Sequence, residues 1–217
     1  MNTVNPEEGS LILVDKPFRW TSFDVVHKLR KLTGIRKIGH AGTLDPLATG
    51  LLVVCTGKFT KRINDYQGLE KEYTGTMVLG QTTPSHDLET EPSEPLPVND
   101  LSEELLFSAR TRLTGLIDQV PPLHSAIKID GKRAYKFARK GIEKKIEPRQ
   151  VEVRVFELTR IELPEIDFRI VCSKGTYIRS LVRDFGEITG KGAYMSALRR
   201  TRIGDFRVED AQVIPGA

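Results

Sequence analysis

An α+β fold is predicted by the order of local patterns along the chain. Short apolar or alternating runs at residues 11–14, 51–55, 73–79, 151–163 and 166–172 read as strands. Capped amphipathic stretches at 21–32 and 178–188 read as helices that cover them. With 217 residues, 39% hydrophobic and 29% charged, the chain is long enough to fold without staples.

The first strand ends at Asp15-Lys16-Pro17. Thr21 and Ser22 offer N-caps to the next helix, which carries Phe23, Val26 and Leu29 on one face and stops before Gly34. Leu51-Leu52-Val53-Val54-Cys55 is uninterrupted and apolar, the pattern of a buried strand. Residues 59–66 read as a short helix leading through Gly68 into the strand that opens at Tyr73. The acidic, proline-bearing stretch 82–100 predicts a surface loop, and Asp100 and Glu103 start a helix through Leu105, Ala109 and Leu113. Residues 126–129 read as a strand, Asp130-Gly131 as a tight turn, and the stretch up to Gly141 as a short basic helix. Strands 151–163 and 166–172 join around Pro164-Glu165. After the helix that begins near Ile178 come an element at 193–200 and a separate basic strand at 201–208.

The net charge of +4 is distributed unevenly. Ten Lys/Arg face two acids between Lys16 and Arg62, and nine face three acids between Lys128 and Arg149, whereas residues 84–104 hold seven acids and no Lys/Arg. Either one cationic face serves a polyanion or the charges are simply solvated. Tyr135 and Phe137, set among the lysines and arginines, suit bases and phosphates together. Cys55 and Cys172 lie in apolar runs, as buried thiols of a reducing, cytoplasmic setting do. The first residues carry acids and a four-residue apolar run, so neither a signal peptide nor a membrane span is expected. His27, His86 and His124 lack metal-ligand spacing, and Gly57-Lys58 lacks the glycine spacing and Ser/Thr of a phosphate loop, so neither a metal nor a cofactor is expected.

Chemistry concentrates in residues 36–61, RKIGHAGTLDPLATGLLVVCTGKFTK. Three glycines flank Asp45, and Asp-Pro either caps a short helix or starts a turn. A carboxylate on a shaped loop, backed by a buried strand, is a candidate catalytic group. Arg179, at the boundary between a strand and a helix, is placed to meet it from another part of the chain.

GHAGTLDPLATGLL, KEY at Tyr73, VPPLHSAIKIDGKRAYKFARKG and CSKGTYIRSL, in this order, resemble the TruB family of tRNA pseudouridine synthases. The resemblance runs from Asp15-Lys16-Pro17 to Leu198-Arg199-Arg200. It implies the pseudouridine synthase fold: a bent, mixed, mostly antiparallel sheet flanked by helices, with Asp45 in a central cleft. It implies a single catalytic domain over residues 1–217, with a basic RNA-clamping insertion at about 119–150 and no C-terminal PUA domain. By the resemblance Asp45 is the catalytic aspartate, Arg179 its partner, Tyr73 the residue that stacks on the base, and Tyr177 and Leu198 line the uracil pocket. His40 then holds the opened RNA loop, and Lys16 and Lys61 face phosphate. The implied substrate is the T stem-loop of tRNA, modified at position 55 by a monomer without a guide RNA or membrane. Two places depart from the family pattern. Arg19 stands where the family usually has Gly, and the stretch after Thr83-Pro84 lacks a second Thr and a following Gly, although Asp87 matches.

The chemistry requires a glycosidic bond to break, the base to rotate and a carbon–carbon bond to form at the same sugar carbon. An ionised aspartate serves either by attacking C1′ or by removing a sugar proton, and a guanidinium beside it favours the charged form. A noncatalytic RNA binder is the rival of another class, and it has no need of an acid facing a polyanion.

Overall fold

The computed structural model describes residues 8–216, except 126, 130, 131, 135, 136, 138–141 and 143. The chain forms two compact units: Met1–Thr74 with Ala197–Ala217, and Gly75–Ser196.

The first unit is built on β3 (Thr49–Thr56), the predicted buried strand. Along one edge it pairs antiparallel with β1 (Leu11–Lys16), from Leu11 opposite Cys55 to Lys16 opposite Gly50. Along the other it pairs antiparallel with β2 (Ile38–Ala41), and then parallel with β10 (Ala193–Ile203) at Arg199 and Arg200. β12 (Gln212–Val213) adds a parallel pair on β1, and β11 (Phe206–Arg207) pairs antiparallel with β10. Residues 51–55 of β3 are apolar without a break because both faces of the strand are covered. Leu52 and Val54 pack with Val25, Val26 and Leu29 of α1 (Ser22–Thr33), while Leu51, Val53 and Cys55 pack with Tyr66 of α2 (Ile63–Gly68) and with Ile203.

Helix α1 starts as its sequence prescribes. The Thr21 hydroxyl accepts from the Asp24 N–H, the Asp24 carboxylate accepts from the Thr21 N–H, and Gly34 closes the C-terminus at φ 71°. Its buried face differs from the prediction. Phe23 is 63% exposed, and Val25 takes the core position beside Val26.

In the second unit β9 (Glu165–Cys172) pairs antiparallel with β8 (Arg149–Glu162), and β5 (Gly115–Gln119) pairs antiparallel with β8. The order is β4, β9, β8, β5, with β4 spanning Lys71–Leu79. The pairing is thus mixed and mostly antiparallel. Helices α3 (Glu103–Arg112) and α4 (Ile178–Thr189) complete this unit. Phe185 of α4 meets Phe156 of β8 at a ring separation of 6.0 Å, and Phe156 meets Phe168 of β9 edge-on at 6.3 Å. The chain crosses from the first unit to the second within β4 and returns within β10.

Four local expectations are corrected. The N-cap of α3 is Ser102 rather than Asp100, and Leu106 is buried in place of Leu105. Stretch 82–100 is not a plain surface loop, because Thr83, Ser85 and Asp87 are buried and Asp87 bridges to Met195. Residues 193–203 form one continuous strand, so the separate elements expected at 193–200 and 201–208 merge. β6 (Lys128–Ile129) and β7 (Lys132–Arg133) pair antiparallel as a hairpin, but the expected Asp130-Gly131 turn, the aromatic Tyr135 and most of the basic helix lie outside the described residues.

Candidate active site

Asp45 sits in a turn, not a helix cap: its carbonyl accepts from the Ala48 N–H at 3.1 Å. The turn belongs to the loop between β2 and β3, which leaves the sheet where β2 has ended and β10 has only begun to pair. Three buried groups of the first unit hold this loop. The Ser22 hydroxyl, at the start of α1, accepts from the Leu44 N–H at 2.9 Å and donates to the Leu44 carbonyl at 3.3 Å. The Lys16 ammonium donates to the carbonyls of Pro17 (2.9 Å), Trp20 (2.5 Å) and Pro46 (3.3 Å). The Arg200 guanidinium donates through Nε to the Leu51 carbonyl (2.7 Å), through Nη2 to Gly42 (3.3 Å) and through Nη1 to Thr43 (3.5 Å). Arg200 therefore fills the gap in the sheet edge and grips both ends of the loop. Gly42 and Gly50 have φ of 90° and 103°, and a Cβ on Gly50 would stand 2.3 Å from the Arg200 carbonyl oxygen.

The resemblance implies that Lys16 faces phosphate. It is instead fully buried, and its three carbonyl partners explain why: an ammonium there joins the backbone of the loop before α1, at Pro17 and Trp20, to that of the Asp45 turn, at Pro46. Burial lowers its pKa from 10.5 to about 8, and nearby Asp45 partly opposes the shift. Arg200 was not singled out from sequence as a functional residue. A signal existed, since Leu198 and Arg200 are two apart on a strand and share its face, and Leu198 is buried.

The other predicted residues of this unit are placed as follows. His40 lies on β2 opposite Val54, half-buried, and burial holds its pKa below the ordinary histidine value, with a backbone hydrogen bond at Gly42 working against the shift. Tyr73 of β4 and Leu198 of β10 are both buried. Lys61 is exposed on the 3-10 turn Gly57–Arg62.

In the second unit Tyr177 is the N-cap of α4. The fully buried Gln119 side chain brackets its backbone: Oε1 accepts from the Tyr177 N–H at 2.8 Å and Nε2 donates to its carbonyl at 3.1 Å. The Arg149 guanidinium stands 4.8 Å over the Tyr177 ring. Arg179, 3% exposed, donates to the carbonyls of Ser85 and His124, each at 3.0 Å, and its Nε lies 3.5 Å from Asp87 Oδ2. Two carbonyl acceptors and a carboxylate in ion-pair contact, in three directions, hold a planar guanidinium as no ammonium could be held. Asp87 and Ser85 explain why part of the acidic loop is buried. Beside them His86 stays neutral at pH 7, its pKa pushed to about 4 by burial and by Arg183 and Arg179. Asp45 belongs to the first unit and Arg179 to the second.

Among the described residues no group of three or more His, Cys, Asp or Glu side chains could hold a metal ion. No helix of the described residues is long and apolar enough to cross a membrane.

Comparison with known proteins gives this arrangement a context. The tRNA pseudouridine synthase B of Flavobacterium johnsoniae is 54% identical over 211 residues, covering 94% of this chain and 92% of that relative. That of Phocaeicola vulgatus is 50% identical over 213 residues, covering 95% and 91%. Among solved structures, a chain of a Cbf5-Nop10-Gar1 complex superposes with a TM-score of 0.74 at 32% identity, covering 94% of this chain and 52% of that one. A chain of an archaeal box H/ACA sRNP Nop10-Cbf5 complex gives 0.70 at 27%, covering 96% and 52%. The present chain thus spans about half the length of those structural neighbours. The model of the TruB family pseudouridylate synthase N-terminal domain matches residues 30–178, and that of the tRNA pseudouridylate synthase B C-terminal domain matches 179–215. Together they run from within α1 almost to the last described residue, through the Asp45 turn and the Arg179 helix, and the chain belongs to the TruB family of pseudouridylate synthases.

Proposed function

We propose that this chain is a tRNA pseudouridine synthase that isomerises the T-loop uridine, position 55, with Asp45 as the catalytic carboxylate. The observation that carries the reading is the holding of the Asp45 turn by Lys16, Ser22 and Arg200, all buried. A surface turn needs no such fixing, whereas a group that must meet one sugar carbon does. The relatives at 54% and 50% identity, both named tRNA pseudouridine synthase B, support the substrate class.

In the reaction the bond from C1′ to uracil N1 breaks and a bond from C1′ to C5 forms. C5 loses its proton and N1 gains one, so atoms and electrons balance within the substrate. Asp45 either attacks C1′ or removes a sugar proton to give a glycal-like intermediate. The resemblance adds Arg179 as partner of the aspartate, Tyr73 and Tyr177 as contacts of the flipped base, and His40, Leu198 and Lys61 as further substrate contacts. Flipping costs a few kcal/mol, and stacking on an aromatic ring returns about 1–3 kcal/mol. The basic residues of segment 119–150 support a clamp on the RNA, and the buried cysteines Cys55 and Cys172 fit a reducing, cytoplasmic setting.

The test is an unmodified T-arm stem-loop incubated with the purified chain alone, then digested to nucleosides for chromatography with mass detection. Conversion at the one uridine by the wild type, and none by Asp45→Asn that still binds RNA, is the expected result. Equal conversion by Asp45→Asn would remove the aspartate from the mechanism, and conversion only with added guide RNA would remove the stand-alone reading.

A further inference from the structure

The first unit holds a second cluster of chemistry that the Asp45 turn does not use. A cleft of about 340 Å³ is lined by Arg19, Trp20, Asp24, His27, Lys28 and Lys31, from the loop before α1 and from its outer face. Its one acid is occupied: the Asp24 carboxylate accepts from the Thr21 N–H at 2.8 Å and the Thr21 hydroxyl at 2.6 Å, as part of the helix cap. Among the described residues neither Arg19 nor Lys31 forms an ion pair, and the cleft sets three cations, Arg19, Lys28 and Lys31, against the one carboxylate of Asp24, a net positive charge.

Aromatic surface adjoins that charge. Phe18 and Phe23 are 53% and 63% exposed, with the Arg19 guanidinium 5.6 Å from the Phe18 ring and that of Arg30 5.8 Å from the Phe23 ring. Trp20 is the single tryptophan of the chain and packs one side on the core of this unit. Exposed rings interleaved with cations suit a strand of bases and phosphates, and a solvated charged face has no use for the rings. Arg19 adds an independent observation, since it occupies φ 65°, a conformation that favours glycine. A long charged side chain kept at strained backbone argues that the charge is used.

We propose that this cleft is a second RNA contact, separate from the target-base site, in which Arg19 and Lys31 bind backbone phosphate and the Phe18 and Trp20 rings take an adjoining base. The proposal rests on the reading that the substrate is RNA. The Lys16 ammonium donates to the carbonyls of both Trp20 and Pro46, so it ties the loop of the cleft to the turn that carries Asp45. RNA held in the cleft is thereby held in register with the carboxylate.

Trp20 is a built-in reporter for the test. The full chain and its Arg19→Gly/Lys31→Ala variant are titrated with unmodified tRNA transcript and with the T-arm stem-loop. Trp20 fluorescence and affinity are read over a salt series, and turnover is measured in parallel. Arg19→Gly removes the charge at a backbone position that glycine adopts without strain, so loss of folding does not confound the result. For at least one RNA, quenching in the wild type is expected, with binding about tenfold weaker in the variant and a salt slope shallower by about 1.5, as loss of two phosphate contacts gives. Unchanged affinity and slope for both RNAs, with silent Trp20 fluorescence, overturn the proposal and leave the cleft to another acidic partner. Quenching and the slope change without turnover uphold the cleft while rejecting the proposed function; turnover with an unaffected variant does the reverse.

Discussion

Arg200→Met asks whether the buried guanidinium is what holds the Asp45 turn. The substitution keeps an unbranched chain in the core, so little cavity is left, and it removes the donors to Leu51, Gly42 and Thr43. A hydrogen bond from a charged donor contributes about 1.5–3 kcal/mol, and the two longer contacts contribute less. Relief of the buried charge offsets part of this, leaving a net destabilisation of about 2 kcal/mol, within the margin of an ordinary domain. The rate is the sharper readout. The carbonyls of Gly42 and Thr43 lose their holder, and a shift of about 1 Å in a reacting group costs about 100-fold, so a 10- to 100-fold loss of turnover is expected from protein that remains folded. A third signal is electrostatic, because Arg200 lowers the pKa of both Lys16 and His40. The His40 titration, followed by NMR, should move up in the variant. Urea unfolding gives the stability and single-turnover conversion of the stem-loop gives the rate. Turnover within threefold of wild type, or a rate loss matched by the fraction unfolded, would refute the argument.

The titration of Lys16 gives a stability signature of definite sign. Its folded pKa, about 8, lies below the unfolded 10.5, so between these values the unfolded chain binds more protons and stability rises with pH. The wild type should gain up to about 3 kcal/mol relative to Lys16→Met across that window, read as a difference of urea midpoints; a falling difference would show that the ammonium is favoured by its carbonyls more than burial disfavours it. Gly50→Ala places a Cβ 2.3 Å from the Arg200 carbonyl oxygen and 2.7 Å from its nitrogen at φ 103°, so a loss of about 3 kcal/mol or more is expected. Gly68→Ala, which meets nothing within 4 Å, is the control and should be neutral or slightly stabilising. Arg179→Lys keeps the charge but not the planar fork that reaches the Ser85 and His124 carbonyls together, and most turnover should be lost; near-normal turnover would mean that charge alone suffices. Arg19→Gly should raise the thermal midpoint, by about 1 kcal/mol of stability, because it relieves a left-handed residue; a lower midpoint would locate a structural role in the side chain.

Much of this protein was legible in local sequence because the deciding physics is local. Thr21 and Ser22 as caps and Gly34 beyond the end marked the bounds of α1, with the structure choosing Thr21, and the five apolar residues at 51–55 announced a strand covered on both faces. The glycines around Asp45 marked a shaped loop, and four motifs in order carried the family. What holds that loop was decided only by tertiary structure. Lys16, read as facing phosphate, turned inward because three backbone carbonyls converge where its strand ends. Arg200 became a structural clamp because β2 and β10 leave a gap along β3 that only the folded sheet creates. Likewise Asp87 and Ser85 are buried in a stretch of surface-loop composition because Arg179, some ninety residues away, needs acceptors there. Composition and periodicity report which residues prefer to leave water; they do not report which buried donor meets which distant carbonyl, since that depends on contacts made only once the chain has folded.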